Sequence, residues 1–238
     1  MSNSLTQDKS LLLGSRESIE ALAQKESSRI LAISDSHANA AAFSYALEKF
    51  GMLSDILLFT GDGCSDMAYL LQKASSDEYF SSCIPPVIAF VKGNNDASSY
   101  SFMNKAAIRQ KNAPLLLQIK VPLKNEVTVA GHKIVLVHGH AHSLYGGTSS
   151  LASEAEASGA DIIFYGHTHI PACGIISTES GSPLLLVNPG SCSIPRAGQP
   201  PSFAVAEVKK GIAGGNCTFY EIRRPDPKPF IPPPIYMA

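Results

Sequence analysis

The chain has 238 residues, of which 45% are hydrophobic and 16% charged; a chain of this length buries about 72% of the surface its unfolded form exposes, so a core without disulfides is within reach and wholesale disorder is excluded. Nineteen Lys and Arg stand against twenty Asp and Glu, a formal net charge of -1, and no basic field exists to hold the backbone of a long nucleic acid.

The first 28 residues are rich in Ser, Gln and Glu. They read as a polar N-terminal extension that frays, with one short helix over 18–25. Residues 30–33 are a short apolar run that stops at Ser34-Asp35, which suits a buried strand. Apolar residues at 42, 43, 46, 47 and 50 share one helical face over 39–50. A second strand over 56–59 ends in Thr60-Gly61-Asp62-Gly63, a helix covers 67–73, and a third strand over 87–91 ends in Gly93-Asn94-Asn95-Asp96. Strand, helix, strand, helix, strand is the α/β order, with parallel pairing through crossovers.

The second half is strand-dense, with strands at 115–121, 127–130 and 134–137, a hairpin turn at Gly131-His132, a helix over 149–157, and strands at 162–165, 184–187, 203–208 and 217–222. Two sheets packed between helices accommodate this count. A main body over 29–224 is followed by a tail over 225–238 with six Pro (225, 227, 229, 232, 233, 234), expected to be extended and to strap its own domain. Five Cys at 64, 83, 173, 192 and 217 are scattered with no CxxC pair, the usage of a reducing compartment. No apolar run approaches the ~18 residues of a membrane span, and the start lacks the pattern of a signal peptide. The expectation is a cytoplasmic protein with no membrane partner; the sequence sets no oligomeric state.

Function is legible in the positions of the polar residues. Five apolar strands each deliver metal-capable side chains at or just past their C-terminal ends: Asp35 and His37; Asp62; Asn94, Asn95 and Asp96; His138 and His140, with His142 close behind; His167 and His169. Six of the seven His lie in these loops, and only His132 stands apart. In open α/β sheets the crevice at strand C-termini is the expected binding site. Each piece alone is weak; their recurrence on successive strand ends points to metal. Carboxylates and an amide oxygen mixed with imidazoles suit Mn²⁺, Fe²⁺, Zn²⁺ or Ni²⁺. Seven donors exceed one coordination sphere and suit two ions about 3.5–4 Å apart, which activate a water and clamp a phosphoryl centre.

Asp35-Ser36-His37, Gly61-Asp62, Gly93-Asn94-Asn95-Asp96, His138-Gly139-His140, Gly166-His167-Thr168-His169 and Asn188-Pro189-Gly190-Ser191 occur in the order seen in calcineurin-like metallophosphoesterases. The chain resembles the small bacterial and archaeal phosphodiesterase branch over roughly residues 30–222. The resemblance implies a four-layer α/β/β/α sandwich of two mixed sheets flanked by helices. It implies Asp35, His37 and His169 on one ion, Asn94, His138 and His167 on a second, and Asp62 bridging both, with manganese first among the candidate metals. The reaction implied is hydrolysis of a small phosphodiester by a hydroxide held between the ions. Alternatives on the same fold are a phosphomonoesterase or nucleotide phosphatase, and a non-catalytic scaffold such as the retromer cargo-recognition subunit, where the ligand set is degraded.

One departure from the family pattern bears on chemistry. Many relatives carry His after the ligand Asn, to help the leaving group depart; here that position is Asn95, and an amide donates a hydrogen bond but is no general acid near neutral pH. Asn95 and His140 are the candidate catalytic residues, with His142 as another source of a proton. Asp66 is expected to start a helix, Asp96 to orient a neighbour of the ions, residues 188–191 to form a structural loop beside the site, and Arg196 either to contact phosphate or to stand exposed.

Overall fold

The structure, a computed structural model, describes residues 6–104 and 115–235. In chain order it contains β1 (Leu13–Gly14), α1 (Arg16–Gln24), β2 (Ser27–Ile33), α2 (Ala40–Phe50), β3 (Ile56–Phe59), α3 (Cys64–Ala74), α4 (Glu78–Ser82), β4 (Val87–Phe90), β5 (Ser99–Met103), β6 (Leu116–Lys120), β7 (Lys124–Val129), β8 (His132–Val137), α5 (Ser149–Ser158), β9 (Ile162–Phe164), β10 (Ala172–Ser177), β11 (Pro183–Asn188), β12 (Ser202–Lys209), β13 (Asn216–Glu221) and β14 (Lys228–Phe230). A seven-stranded sheet runs β1-β4-β3-β2-β12-β13-β14, and a five-stranded sheet runs β10-β11-β9-β8-β7. Strands β2, β3 and β4 are mutually parallel, as are β8, β9 and β11. The outer strands of both sheets are antiparallel. Strands β5 and β6 pair apart from both.

The central runs of the parallel strands, residues 30–33, 56–59, 87–90, 134–137, 162–164 and 184–187, are apolar on every residue because both their faces are covered, so they show no alternation. Ile30, Ala32, Ile56, Leu58, Val87 and Ala89 face Ile134, Leu136, Ile162, Phe164 and Val187 between the sheets. The opposite face of the larger sheet, with Leu31, Ile33, Leu57, Phe59 and Phe90, packs on Phe43, Leu47, Met67 and Leu71 of α2 and α3. Phe43 stacks on Phe59 with ring centroids 4.9 Å apart, and each such buried ring contributes about 1.5–3 kcal/mol relative to exposure. On the far side, Val135, Val137, Ile163 and Leu186 pack on Leu151, Ala152 and Ala155 of α5. These layers are the expected α/β/β/α sandwich. Residue Asn39 caps α2 by accepting from the Ala42 N–H.

Residues 6–28, expected to fray, do not. Leu12, Leu13 and Leu22 are buried. Leu13 pairs with Ile88 as an edge strand of the larger sheet, and α1, two residues ahead of its expected start, docks its C-terminal carbonyls on the β7–β8 turn, where Ala130 and Gly131 N–H donate to Leu22 and Ala23. Residues 1–5 of that expected extension lie outside the described residues. The β7–β8 turn is Ala130-Gly131, one residue earlier than expected, because His132 belongs to β8 opposite Val129. His132 is a buried structural residue, with Nδ1 2.5 Å from Asp161 and Nε2 donating to the Lys209 carbonyl.

The Pro-rich tail straps the domain as expected, and it also adds β14 to the sheet edge beside β13. Tyr45 donates to the Arg223 carbonyl, Lys49 meets Asp226 at 2.7 Å, and Ile235 packs against the α5 face of the smaller sheet. Its last three residues, 236–238, lie outside the described residues.

Candidate metal centre

The loops after β2, β3, β4, β8 and β9 gather at one end of the sandwich because the strands they follow run the same way in each sheet. They are knitted by their backbones: the Asp35 N–H donates to Gly61, the His37 N–H to Asp62, and the Gly166 N–H to His138. The donors converge in two groups. Asp35, His37 and His169 offer atoms within 4.8 Å of one another, as do Asp35, Asp62 and His138. Asp35 is common to both, and Asp62 Oδ2 faces a histidine from each, 3.7 Å from His37 Nε2 and 3.4 Å from His138 Nε2. The Nε2 atoms of His37 and His169 are 3.2 Å apart, and His169 Nε2 is 3.2 Å from Asp35 Oδ1.

Two of the imidazoles, His138 and His169, are locked in the tautomer a metal requires. His138 Nδ1 lies 2.7 Å from the Thr60 carbonyl and His169 Nδ1 2.8 Å from the Ile194 carbonyl. A carbonyl only accepts, so both Nδ1 atoms carry hydrogen and both Nε2 lone pairs point inward. His138 Nε2 and Asp35 Oδ1 are buried, 4.0 Å apart, and without a hydrogen-bond partner. Buried acceptors aimed at one another cost free energy unless a proton or cation lies between them. The residues therefore fit a divalent ion. The electrostatics agree. Burial works against ionisation of Asp35 and Asp62, yet the His169 and His37 imidazoles beside the first, and His138 with the two Asn95 donors beside the second, hold both below the usual carboxylate range. The Asp35 carboxylate raises His37, and burial of His138 is outweighed by Asp62 and Asp35.

A second set of contacts fixes the loops themselves. The Asp96 carboxylate accepts four backbone N–H bonds, from Asp62 (2.7 Å), Gly63 (3.0 Å), Cys64 (2.8 Å) and Gly93 (3.0 Å). Two of these are the open amides at the start of α3, which Gly63 has no side chain to cap. Asn188 donates to the Gly166 carbonyl and Thr168 Oγ1, and Ser191 Oγ donates to the Asp35 carbonyl. Gly93 and Gly166 are needed for close approach: a Cβ on Gly93 would sit 2.0 Å from Asp62 Oδ1, and one on Gly166 2.2 Å from Ser34 Oγ and 2.8 Å from Asp35 Oδ2. Asp35, His37, Asp62, His167 and His169 all have positive φ, between 44° and 67°, a region non-glycine residues enter only when the surroundings enforce it.

The family model of the calcineurin-like phosphoesterase superfamily domain matches residues 29–211. The chain belongs to this superfamily. Among curated members, it is similar to the probable metallophosphoesterase YsnB of Bacillus subtilis, with 31% identity over 87 residues, 37% of this chain and 48% of YsnB. It is similar also to the phosphodiesterase YfcE of Escherichia coli K12, with 32% identity over 82 residues, 34% of this chain and 38% of YfcE. The chain spans about half the length, or less, of these relatives. Of solved structures, vacuolar protein sorting 29 from Cryptosporidium parvum shares the fold, with a TM-score of 0.59 and 18% identity over 87% of this chain and 97% of that one.

In this phosphoesterase-superfamily chain the other expected residues take distinct places. The His167 ring stands edge-on to His138 at 5.2 Å between centroids, and the His167 backbone N–H donates to Asp35 Oδ2. Asn94 is exposed on the loop after β4, between Gly93 and Asn95. Asn95 donates to Asp62 twice, by its N–H to Oδ1 (2.8 Å) and by Nδ2 to Oδ2 (2.7 Å). His140 is exposed, its ring 5.5 Å from that of His138; burial and then His138 push its basicity below the ordinary value. Asp66 lies in the first turn of α3, near the helix start expected of it, and accepts from Ser36. Burial pushes the Cys64 and Cys192 thiols well up, leaving both inert. Thr60 and Ile194 act through main-chain carbonyls, so their side chains gave no signal.

Proposed function

We propose that the protein is a metal-dependent phosphodiesterase, and the observation that carries this reading is the pair of buried, unpartnered atoms, Asp35 Oδ1 and His138 Nε2, ringed by imidazoles with inward lone pairs. Asp35, His37 and His169 would hold one divalent ion, and Asn94, His138 and His167 a second. Asp62, facing a histidine from each group, would lie between them, with manganese the first metal to test. Bound ions would supply a water of lowered pKa and neutralise charge on the phosphoryl oxygens.

The chain's own residues set the rest. Asp96 holds the Asp62 and Gly93 loops in register, and Asn95 fixes the Asp62 carboxylate. The Asn95 amide is thereby committed to a donor residue and offers no proton to a departing alcohol. His140, with its basicity lowered, is neutral near pH 7 and can donate a hydrogen bond to a leaving oxygen without being a strong acid. Leaving groups that depart as anions are favoured, so a small diester with an aryl leaving group is the preferred substrate class. The near-zero net charge gives no hold on a long polynucleotide.

The test is a side-by-side assay of the chelator-stripped and manganese-reloaded protein on a bis-aryl phosphodiester, an aryl phosphomonoester and an alkyl phosphomonoester. Turnover is expected only with metal and fastest on the diester. Equal rates on the alkyl monoester would overturn the diesterase reading. Turnover that survives Asp62→Ala and His138→Ala would overturn the site itself. A folded protein that binds no metal and turns over nothing would be a scaffold.

A further inference from the structure

Two side chains outside the donor set meet beside it. The Arg196 N–H donates to the His169 carbonyl at 3.1 Å, and its own carbonyl accepts from Gln199. Two residues earlier, Ile194 supplies the carbonyl that fixes the His169 ring. The base of Arg196 is therefore tied to one donor group. Its guanidinium reaches Tyr145, with Nη1 3.4 Å from the phenol oxygen. Tyr145 sits in the single-turn helix Leu144–Gly146, in the loop that carries His138 and His140. That turn is seated against the site by Leu144, whose Cδ1 lies 2.7 Å from where a Gly139 Cβ would be. The Arg196–Tyr145 pair thus connects the loop of His169 with the loop of His138.

Both members are poorly satisfied as they stand. Arg196 is exposed, and among the described residues its side chain meets a neutral phenol rather than a carboxylate. Tyr145 is 83% exposed, the most exposed aromatic ring among the described residues. A guanidinium matches the oxygens of a phosphoryl group, and a rigid exposed ring is a platform for stacking. Resting on the phosphodiesterase reading, we infer that Arg196 and Tyr145 form a recognition clamp. The guanidinium holds a non-bridging phosphoryl oxygen, and the Tyr145 ring stacks on an aromatic group of the ester that stays behind. The substrate class is a phosphodiester with an aromatic non-leaving group, either aryl or nucleobase.

The experiment uses three diesters with the same p-nitrophenolate leaving group: the bis(p-nitrophenyl) ester, the thymidine 5′-(p-nitrophenyl) ester and the methyl p-nitrophenyl ester. Chemistry at the leaving group is constant, so KM and kcat/KM report the retained group, and the first two arms separate aryl from nucleobase. The manganese-loaded protein is expected to favour an aromatic arm over methyl. Tyr145→Ala should cut that preference about 10-fold, and Tyr145→Phe should keep it. Arg196→Ala should lower kcat/KM on all three esters by about 10- to 100-fold at unchanged manganese content, with partial rescue by Arg196→Lys. Equal losses on all three arms in Tyr145→Ala, or no loss in Arg196→Ala, would overturn the clamp. If the loaded wild type turns over none of the three, the phosphodiesterase reading fails. The Arg196 contact is then read from calorimetric binding of inorganic phosphate, which Arg196→Ala should weaken about 10-fold or more. Equal affinity, or no binding to the wild type, would overturn it.

Discussion

Asp96→Asn tests the claim that one carboxylate holds the β3 and β4 loops together. Oδ2 accepts from Asp62 and Gly93, and Oδ1 from Gly63 and Cys64. An ionised carboxylate has lone pairs for all four; an amide accepts on one atom only and presents two hydrogens on the other. Whichever way the amide turns, two buried backbone N–H groups face an NH₂. Two hydrogen bonds to a charged group are lost at about 1.5–3 kcal/mol each, so the expected destabilisation is about 3–6 kcal/mol, a large part of the ~5–15 kcal/mol of a typical domain. Chemical denaturation should show the loss as a lower midpoint at constant slope, and thermal unfolding should shift down by at least about 6 °C for a chain of this size. Manganese affinity, measured calorimetrically well below the new midpoint, should fall too, because Asp62 and Asn94 lose their common anchor. A destabilisation under about 1 kcal/mol, with unchanged affinity, would refute the reasoning.

Three further outcomes follow. Asn95→Ala removes the amide that fixes Asp62 Oδ2 and should weaken manganese binding about 10- to 100-fold; calorimetry that finds equal affinity would return Asn95 to a role in the chemical step. His37 and His138 titrate above their ordinary value without an ion, so metal must displace protons and affinity should rise with pH above about 6.5; titration in two buffers of different ionisation enthalpy should detect proton release, and none would contradict the inward-facing donors. At His132, burial opposes the charge but the Lys209 carbonyl and the Asp161 carboxylate outweigh it and raise its pKa. That stabilisation is complete below the unfolded value of about 6.5 and is lost as pH rises through the folded value. The stability gap between wild type and Asp161→Asn should therefore be wider at pH 5.5 than at pH 8, and a gap independent of pH would refute the pairing.

The central strands were legible because complete burial makes their sequence apolar without interruption: residues 56–59 form β3 as expected, and the runs at 30–33 and 87–91 lie on β2 and β4 within a few residues. Peripheral pieces were not. β10 carries Cys173, Gly174 and Ser177 on a half-exposed edge, β5 reads Ser-Tyr-Ser-Phe-Met with one buried residue, and α4 has five residues, too few to show a period. Leu12 and Leu13 fall in the stretch expected to fray because the strand that Leu13 pairs with, β4, lies more than seventy positions away. At the site, the donor side chains could be read from their places at strand ends. The Thr60 and Ile194 carbonyls could not, since any residue supplies one, and the Asp62–Asn95 bond required the loops to be in place.

The left-handed backbone at Asp35, His37, Asp62, His167 and His169 means that the molecule is under tension where it is expected to work. Each such residue is destabilised by roughly 1–3 kcal/mol, and glycine alone is at ease there. His37→Gly, at one of the two donors among these that are not fully buried, should therefore yield a protein that melts later in the absence of metal and hydrolyses nothing. Selection for thermal robustness alone would relax these corners first and erase the catalyst while leaving the sandwich intact.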